Sequence, residues 1–330
     1  MVITQTPVRI SFFGGGTDYP VWFRENGGSV LATSIDKYIY TSVRCLPPFH
    51  QHKHRIIYSK MEYVREIDEI VHPAVREVMR YMSVEDGIEM HHDSDLPARS
   101  GMGSSSSFVV GLLHALHALR GEMVDKEKLA LESIHVEQQL IKENVGCQDQ
   151  VMASFGGFNL VNFKPSGGFA VHPVIVKPER MTSLHEHLML FYTGYHRVAS
   201  EIAGEQIKNT PNRKVELQAM QEMVKAGVNV LRGQGPITDF GQLLHEGWQL
   251  KRKMSHKIST SEIDQIYATA RDAGAVGGKL LGAGGGGFML LFVPPEKQKS
   301  VREKLKQLIH VRFAFEYGGS NIIFYRQNAA

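Results

Sequence analysis

The sequence predicts an α+β fold built as two lobes. Strand-like and helix-like segments come in separate blocks rather than in regular alternation. The 330 residues, 42% of them hydrophobic, suffice for two cores. A polar, proline-containing break near 178–187 divides them, so lobes are expected at 1–184 and 185–330.

Residues 28–45 are rich in β-branched and aromatic types, and 55–59 and 87–92 continue that character, so the first block reads as sheet. One helix, 73–82, interrupts it. Long apolar helices follow at 108–119, beginning near Ser104, and at 126–141, where Asp125 suits an N-cap. Strands return at 158–163 and 169–176. After the break the pattern predicts a strand at 187–192, helices at 198–209, 214–232, 237–254 and 261–273, and a glycine loop. A strand at 288–293, a helix at 298–309 and a last strand at 319–325 complete the chain.

The formal charge of +3 is small, and the basic residues are dispersed, which gives no electrostatic footprint for nucleic acid. Cys45 and Cys147 form neither a C-x-x-C pair nor a zinc spacing, as suits a reduced compartment. The first residues lack a charged stretch followed by an apolar run, and no apolar run reaches the roughly 18 residues of a membrane span. The expectation is a cytoplasmic protein without membrane contact. Alternating histidines at His50, His52 and His54 sit beside two prolines and a lysine, a context that reads as exposed loop rather than metal site.

Four segments carry candidate chemistry. In 95–107, D-L-P-A-R-S-G-M-G-S-S-S-S, glycines permit a tight turn into a helix whose first amides can receive phosphate oxygens. Ser104, Ser105 and Ser106 add donors and a hydroxyl for magnesium. No lysine follows the second glycine, so this is not a Walker loop. Segment 277–288, G-G-K-L-L-G-A-G-G-G-G-F, formally matches a dinucleotide fingerprint, yet a helix precedes its glycines and a strand follows them, the reverse of the order that fold needs. It reads as a turn closing on a ligand or simply packing. Segment 9–20, R-I-S-F-F-G-G-G-T-D-Y-P, sets Asp18 beside glycines, where a carboxylate can accept from sugar hydroxyls or cap a turn. Segment 137–150 carries Glu137 on a helix and Asp149 in the turn after it; a phosphoryl transfer needs one acid to orient a hydroxyl and hard oxygens for a divalent ion.

Taken in order, P-V-R-I-S-F-F-G-G-G-T-D-Y (7–19), P-A-R-S-G-M-G-S-S-S-S (97–107) and K-L-L-G-A-G-G-G-G (279–287) resemble the three motifs of the GHMP kinases, the galactokinase, homoserine, mevalonate and phosphomevalonate kinase superfamily. The stretches 9–18, 144–150, 193–197 and 315–320 are most similar to its heptose-phosphate branch, sugar 1-kinases that use ATP. The resemblance implies a first lobe like ribosomal protein S5 domain 2, a ferredoxin-like second lobe and an active site between them. It implies that Pro97, Gly101, Met102, Gly103, Ser104, Ser105 and Ser106 enclose the ATP phosphates, and that Ser105 and Glu137 hold Mg2+. Asp149 would be the base or orienting acid, kept ionised by Arg9. Substrate contacts would come from Gly15, Gly16, Thr17 and Asp18, with Gly146, Gly284 and Gly285.

Where galactokinases place a glutamate and a histidine before Thr-Asp, this chain has Gly15 and Gly16, which opens the sugar end to a longer tail. Arg24, His196 and Arg197 are the candidate donors for a phosphate on it. The expected partners are a small sugar phosphate and ATP, with neither nucleic acid nor membrane, and a homodimer is compatible. Competing readings are a free-sugar kinase for fucose, galactose or a related hexose, and a non-catalytic sugar or nucleotide sensor. Such sensors usually lose the acid or the phosphate loop, and both are present here.

Overall fold

The structure is a computed structural model that describes residues 1–98, 100–195 and 199–326. Along the chain run β1 (Val2–Phe13), α1 (Pro20–Asn26), β2 (Gly28–Cys45), β3 (His54–Ile57), β4 (Met61–Val64), α2 (Pro73–Tyr81) and β5 (Ile88–Ser94). Then come α3 (Ser104–Leu119), α4 (Lys126–His135), α5 (Gln148–Phe155), β6 (Phe158–Phe163), β7 (Phe169–Pro173) and α6 (Pro178–His187). The second half holds β8 (Leu188–Tyr192), α7 (Ala199–Asn209), α8 (Lys214–Leu231), α9 (Thr238–Met254), α10 (Ser261–Asp272), β9 (Gly277–Leu280) and β10 (Phe288–Phe292). It ends in α11 (Gln298–Lys304), β11 (Ile309–Val311), β12 (Phe315–Glu316) and β13 (Asn321–Tyr325).

Two sheets result, as the separate strand blocks predict. Among the described residues the first has nine strands in the path β13-β1-β2-β5-β3-β4, with β6 and β12 also on β2 and β7 on β6. The second, β11-β8-β10-β9, is antiparallel throughout. Strands β1–β7 fall before residue 185 and β8–β11 after it, but the tail returns to the first sheet. Phe315 pairs with Ile35 and Asn321 with Gln5, so β12 and β13 belong to the first sheet rather than the second lobe. Phe12 stacks on Phe158 and meets Phe240 of α9 edge-on, each at 5.3 Å, so apolar packing is continuous between the lobes.

Several expectations need correction. The polar break at 178–187 is the helix α6, started by Pro178 at its first position. The helix expected over 126–141 changes character at Val136, where a π-helical turn, Val136–Leu140, takes over. The helix expected over 298–309 stops at Lys304, and Ile309 already belongs to β11. The glycines after Leu281 are entered from strand β9, not from a helix, and form the turn of the β9–β10 hairpin.

Helix α3 runs through the centre, with twelve of its residues buried. Its contact with the first sheet depends on Gly111, where a Cβ would lie 2.8 Å from Thr6 Oγ1 and 3.2 Å from Thr4 Oγ1. Thr4 Oγ1 donates to the Gly111 carbonyl at 3.0 Å, which fixes the height of the helix on β1. Substituting Gly111→Val is therefore expected to lower stability by about 1–3 kcal/mol through overpacking, read as a shifted urea midpoint with an unchanged slope.

Candidate active site

A cavity of about 280 Å³ lies where β1, the start of α3, the start of α5 and the β9–β10 turn meet. Its best-defined element is a forked ion pair. Arg9 on β1 donates from Nε to Asp149 Oδ1 and from Nη2 to Asp149 Oδ2, both at 2.8 Å. Its remaining Nη1 donates to the Gly101 carbonyl at 2.8 Å, and its backbone N–H to the Met102 carbonyl at 3.0 Å. One residue thus ties the glycine loop and the acid together. Asp149 lies in the first turn of α5, where the helix dipole favours a carboxylate, rather than in a turn after a helix.

The carboxylate rests against the start of α3. A Cβ at Gly103 would sit 3.2 Å from Asp149 Oδ2. Gly103 is the N-cap of α3, left-handed at φ 78°, and no side chain caps the first turn. The amides there remain available to a ligand, next to Ser104, Ser105 and Ser106, all of which line the cavity.

The opposite wall is built on Asp18, which is 2% exposed. Its Oδ1 accepts from Gly16 N–H at 2.9 Å and its Oδ2 from Gln148 N–H at 3.3 Å. Burial, then the nearby Asp149, pushes the Asp18 carboxyl above the usual range. Gly146 presses on it: a Cβ there would fall 1.9 Å from Asp18 Oδ2. Gly15 leaves room between the Ser11 hydroxyl and the Gln148 amide, 3.7 and 3.8 Å from where its Cβ would be. Ser11 Oγ and Gln148 Oε1 are buried without a hydrogen-bond partner among the described residues, and both residues line the cavity.

Glu137 lies beneath the start of α3. The π-helical turn points this fully buried residue beneath Ser106, whose hydroxyl donates to Glu137 Oε2 at 2.8 Å. Gln150 Nε2 donates to the same oxygen, while Oε1 has no hydrogen-bond partner among the described residues. Burial pushes the Glu137 carboxyl up to about 8, against the two hydrogen bonds. A buried carboxylate with an orphaned oxygen suits a hard cation, and magnesium needs only one or two carboxylates beside substrate phosphates. The residues fit the ion, with one correction. The hydroxyl on Glu137 is that of Ser106, whereas Ser105 is exposed.

Other expected residues lie elsewhere. Thr17 is fully buried and its hydroxyl donates to the Gly14 and Ser29 carbonyls, so it shapes the turn instead of meeting substrate. Gly284 and Gly285 fold against Ile258, whose carbonyl accepts from Gly285 N–H at 2.9 Å, and it is Gly282 and Ala283 that reach the cavity. Pro97 and Arg24 are exposed and Met102 is buried in the core, all three away from the cavity lining. His196 and Arg197 lie outside the described residues.

Two functional candidates were absent from the sequence reading. Lys251 on α9 and Lys279 on β9, 9% and 6% exposed, both line the cavity. Lys279 opens the third glycine motif, a signal that was available. Lys251 sits in a basic run at the end of α9, which reads as ordinary dipole compensation.

Residues 69–157 match the family model described as the GHMP kinases N terminal domain, and 228–310 match the GHMP kinases C terminal model. A protein of Campylobacter jejuni named D-glycero-alpha-D-manno-heptose 7-phosphate kinase is 30% identical over 325 residues, spanning 92% of this chain and 93% of its own. The chain is a member of the GHMP kinase family. GHMP kinases take ATP as phosphoryl donor. An L-fucokinase/L-fucose-1-P guanylyltransferase of Bacteroides fragilis is 27% identical, covering 90% of this chain and 35% of that protein. In fold, this GHMP kinase is like the crystal structure of a D-glycero-D-manno-heptose 1-phosphate kinase from Bacteroides thetaiotaomicron, with a TM-score of 0.78, 22% identity, and coverage of 99% and 100% of the two chains. Among the described residues no helix is long and apolar enough to cross a membrane.

Because Gly146 fits against Asp18 only without a side chain, Gly146→Ala is expected to displace that carboxylate. Steady-state kinetics should show KM for the phosphoryl acceptor raised by about tenfold or more, with KM for ATP changed less than about threefold.

Proposed function

We propose that this kinase transfers the γ-phosphoryl group of ATP to the anomeric hydroxyl of D-glycero-D-manno-heptose 7-phosphate, giving the 1,7-bisphosphate. The observation that carries the reading is the Arg9-held Asp149 carboxylate lying against Gly103 at the start of α3. The acid that orients an acceptor hydroxyl and the amides that take phosphate oxygens then share one place, as in-line transfer needs. The C. jejuni relative supports the choice of sugar phosphate. So do Gly15 and Gly16, which leave the acceptor end of the cavity without side chains.

In this reading Asp149 accepts the hydroxyl proton as the oxygen attacks phosphorus, and Arg9 holds the carboxylate in the orientation that reaches it. Asp18, fixed by Gly16 and Gln148 amides, holds the sugar through its hydroxyls. The amides at the start of α3 and the hydroxyls of Ser104 and Ser105 bind the phosphate chain. Ser106 and Glu137 would hold magnesium, which supplies neutralisation of phosphate charge when bound.

The fucokinase relative favours a second reading, transfer to a free sugar, and one assay separates the two. With heptose 7-phosphate, kcat/KM is expected to exceed that for unphosphorylated heptose, L-fucose and galactose by at least about 100-fold. A preference for a free sugar would overturn the assignment. Transfer to no sugar by intact protein would favour the sensor reading. Asp149→Asn is expected to lower kcat by roughly 10²–10⁴-fold while calorimetric binding of an ATP analogue changes less than about threefold.

A further inference from the structure

Lys251 and Lys279 are cations in an unusual position. Both side chains are more than nine-tenths buried, both reach the cavity wall, and among the described residues neither forms an ion pair with a carboxylate. Among the described residues their amines are held only by backbone carbonyls: Lys279 Nζ donates to Phe12 O at 2.9 Å, and Lys251 Nζ to Leu280 O at 3.1 Å and to Gly282 O. Three donors per ammonium leave two free N–H groups on Lys279 and one on Lys251. Buried charges are normally paired, because desolvation is otherwise uncompensated. Two buried amines close enough to oppose each other's charge are worse for the fold than two methionines would be. Buried amines with N–H donors to spare suit an anion entering the cavity.

Their placement says what that is. Gly282, which accepts from Lys251, packs on the phosphate loop, since a Cβ there would lie 2.4 Å from Gly101 Cα. Phe12, which accepts from Lys279, follows Ser11, the unpartnered hydroxyl beside Gly15. The pair thus spans the cavity from the nucleotide loop to the acceptor turn. Arg9 from β1 and Asp18 from the turn after β1 act on both amines, and Asp149 and Glu143 line the same cavity. Without an anion, burial pushes the Lys251 amine down to about 7 and the Lys279 amine well below its usual range.

We propose that Lys251 and Lys279 form a second anion subsite, distinct from the serine-lined helix start, that takes a phosphate dianion inside the cleft. Its ligand is either the γ-phosphoryl group in transit or the phosphate that the acceptor already carries. The proposal rests on the kinase reading for its role in turnover, but not for its binding chemistry.

Inorganic phosphate is the probe. Calorimetric titration into protein saturated with ADP, which fills the helix start, is expected to show binding that Lys251→Met and Lys279→Met each weaken roughly tenfold or more. Saturation with a non-hydrolysable ATP analogue then separates the sources. Phosphate excluded by the analogue assigns the subsite to the γ-phosphoryl group, with variants impaired chiefly in kcat. Phosphate still bound assigns it to the acceptor's own phosphate, with KM for heptose 7-phosphate raised and KM for ATP kept.

Wild-type phosphate affinity in both variants, with both KM values unchanged, would overturn the proposal and leave the lysines as ties between the lobes. Should the variants not fold, acetylation of unaltered protein mapped by mass spectrometry gives the answer. Phosphate must shield Lys251 and Lys279 while surface lysines keep reacting, and equal labelling overturns the proposal. If wild-type protein phosphorylates no sugar phosphate, the proposed function fails while the phosphate titration still reads the subsite.

Discussion

The fork between Arg9 and Asp149 is the constraint around which the molecule is arranged. A guanidinium on a strand and a carboxylate on the first turn of a helix meet in parallel hydrogen bonds only if both backbones are held rigidly. The sheet supplies one side, where β1 runs against β2 from Val2 to Phe13. The other side, α5, is held at its far end by the tail. Gly156 lies so near Gly319 that a Cβ would come 2.1 Å from its nitrogen, and Lys126 donates to both the Phe155 and Gly318 carbonyls. Residues near the end of the chain therefore steady an acid in its middle.

The second lobe completes the cleft rather than carrying it. Lys279 reaches across to Phe12, Gly282 lies on Gly101, and Thr193 N–H donates to the Gly287 carbonyl, which steadies the hairpin turn from behind. Glycines are used there because backbones approach closer than a side chain allows. Charge inside the cleft is mixed, with Arg9 and two amines lining it together with Asp18, Asp149 and Glu143.

Much of this was legible in the residues. Helix α3 announces itself by glycines, serines and then an apolar run, and β2 by its β-branched and aromatic content, because local patterning and burial agree there. The three motifs lie in order along the chain, and the structure sets parts of each around one cavity. What was not legible depends on distance. Nothing near residue 137 tells that the helix widens so that Glu137 meets Ser106 and not Ser105, since the choice is made by packing against α3. The hairpin entry through β9 was hidden because Gly277 and Gly278 have low strand propensity, and pairing with β10 overrides it. Thr17 looked like a ligand-binding residue by its motif, yet two carbonyls occupy its hydroxyl. Lys251 carries no local signal, and its burial comes from contact between α9 and β9.

A crystal structure with a non-hydrolysable ATP analogue and heptose 7-phosphate tests the central claim most directly. The account predicts the anomeric oxygen within about 2.6–3.2 Å of an Asp149 carboxylate oxygen, with Arg9 still forked to that acid and the γ-phosphate at the start of α3. An acceptor hydroxyl held by some other group, with Asp149 turned away from both ligands, would contradict it.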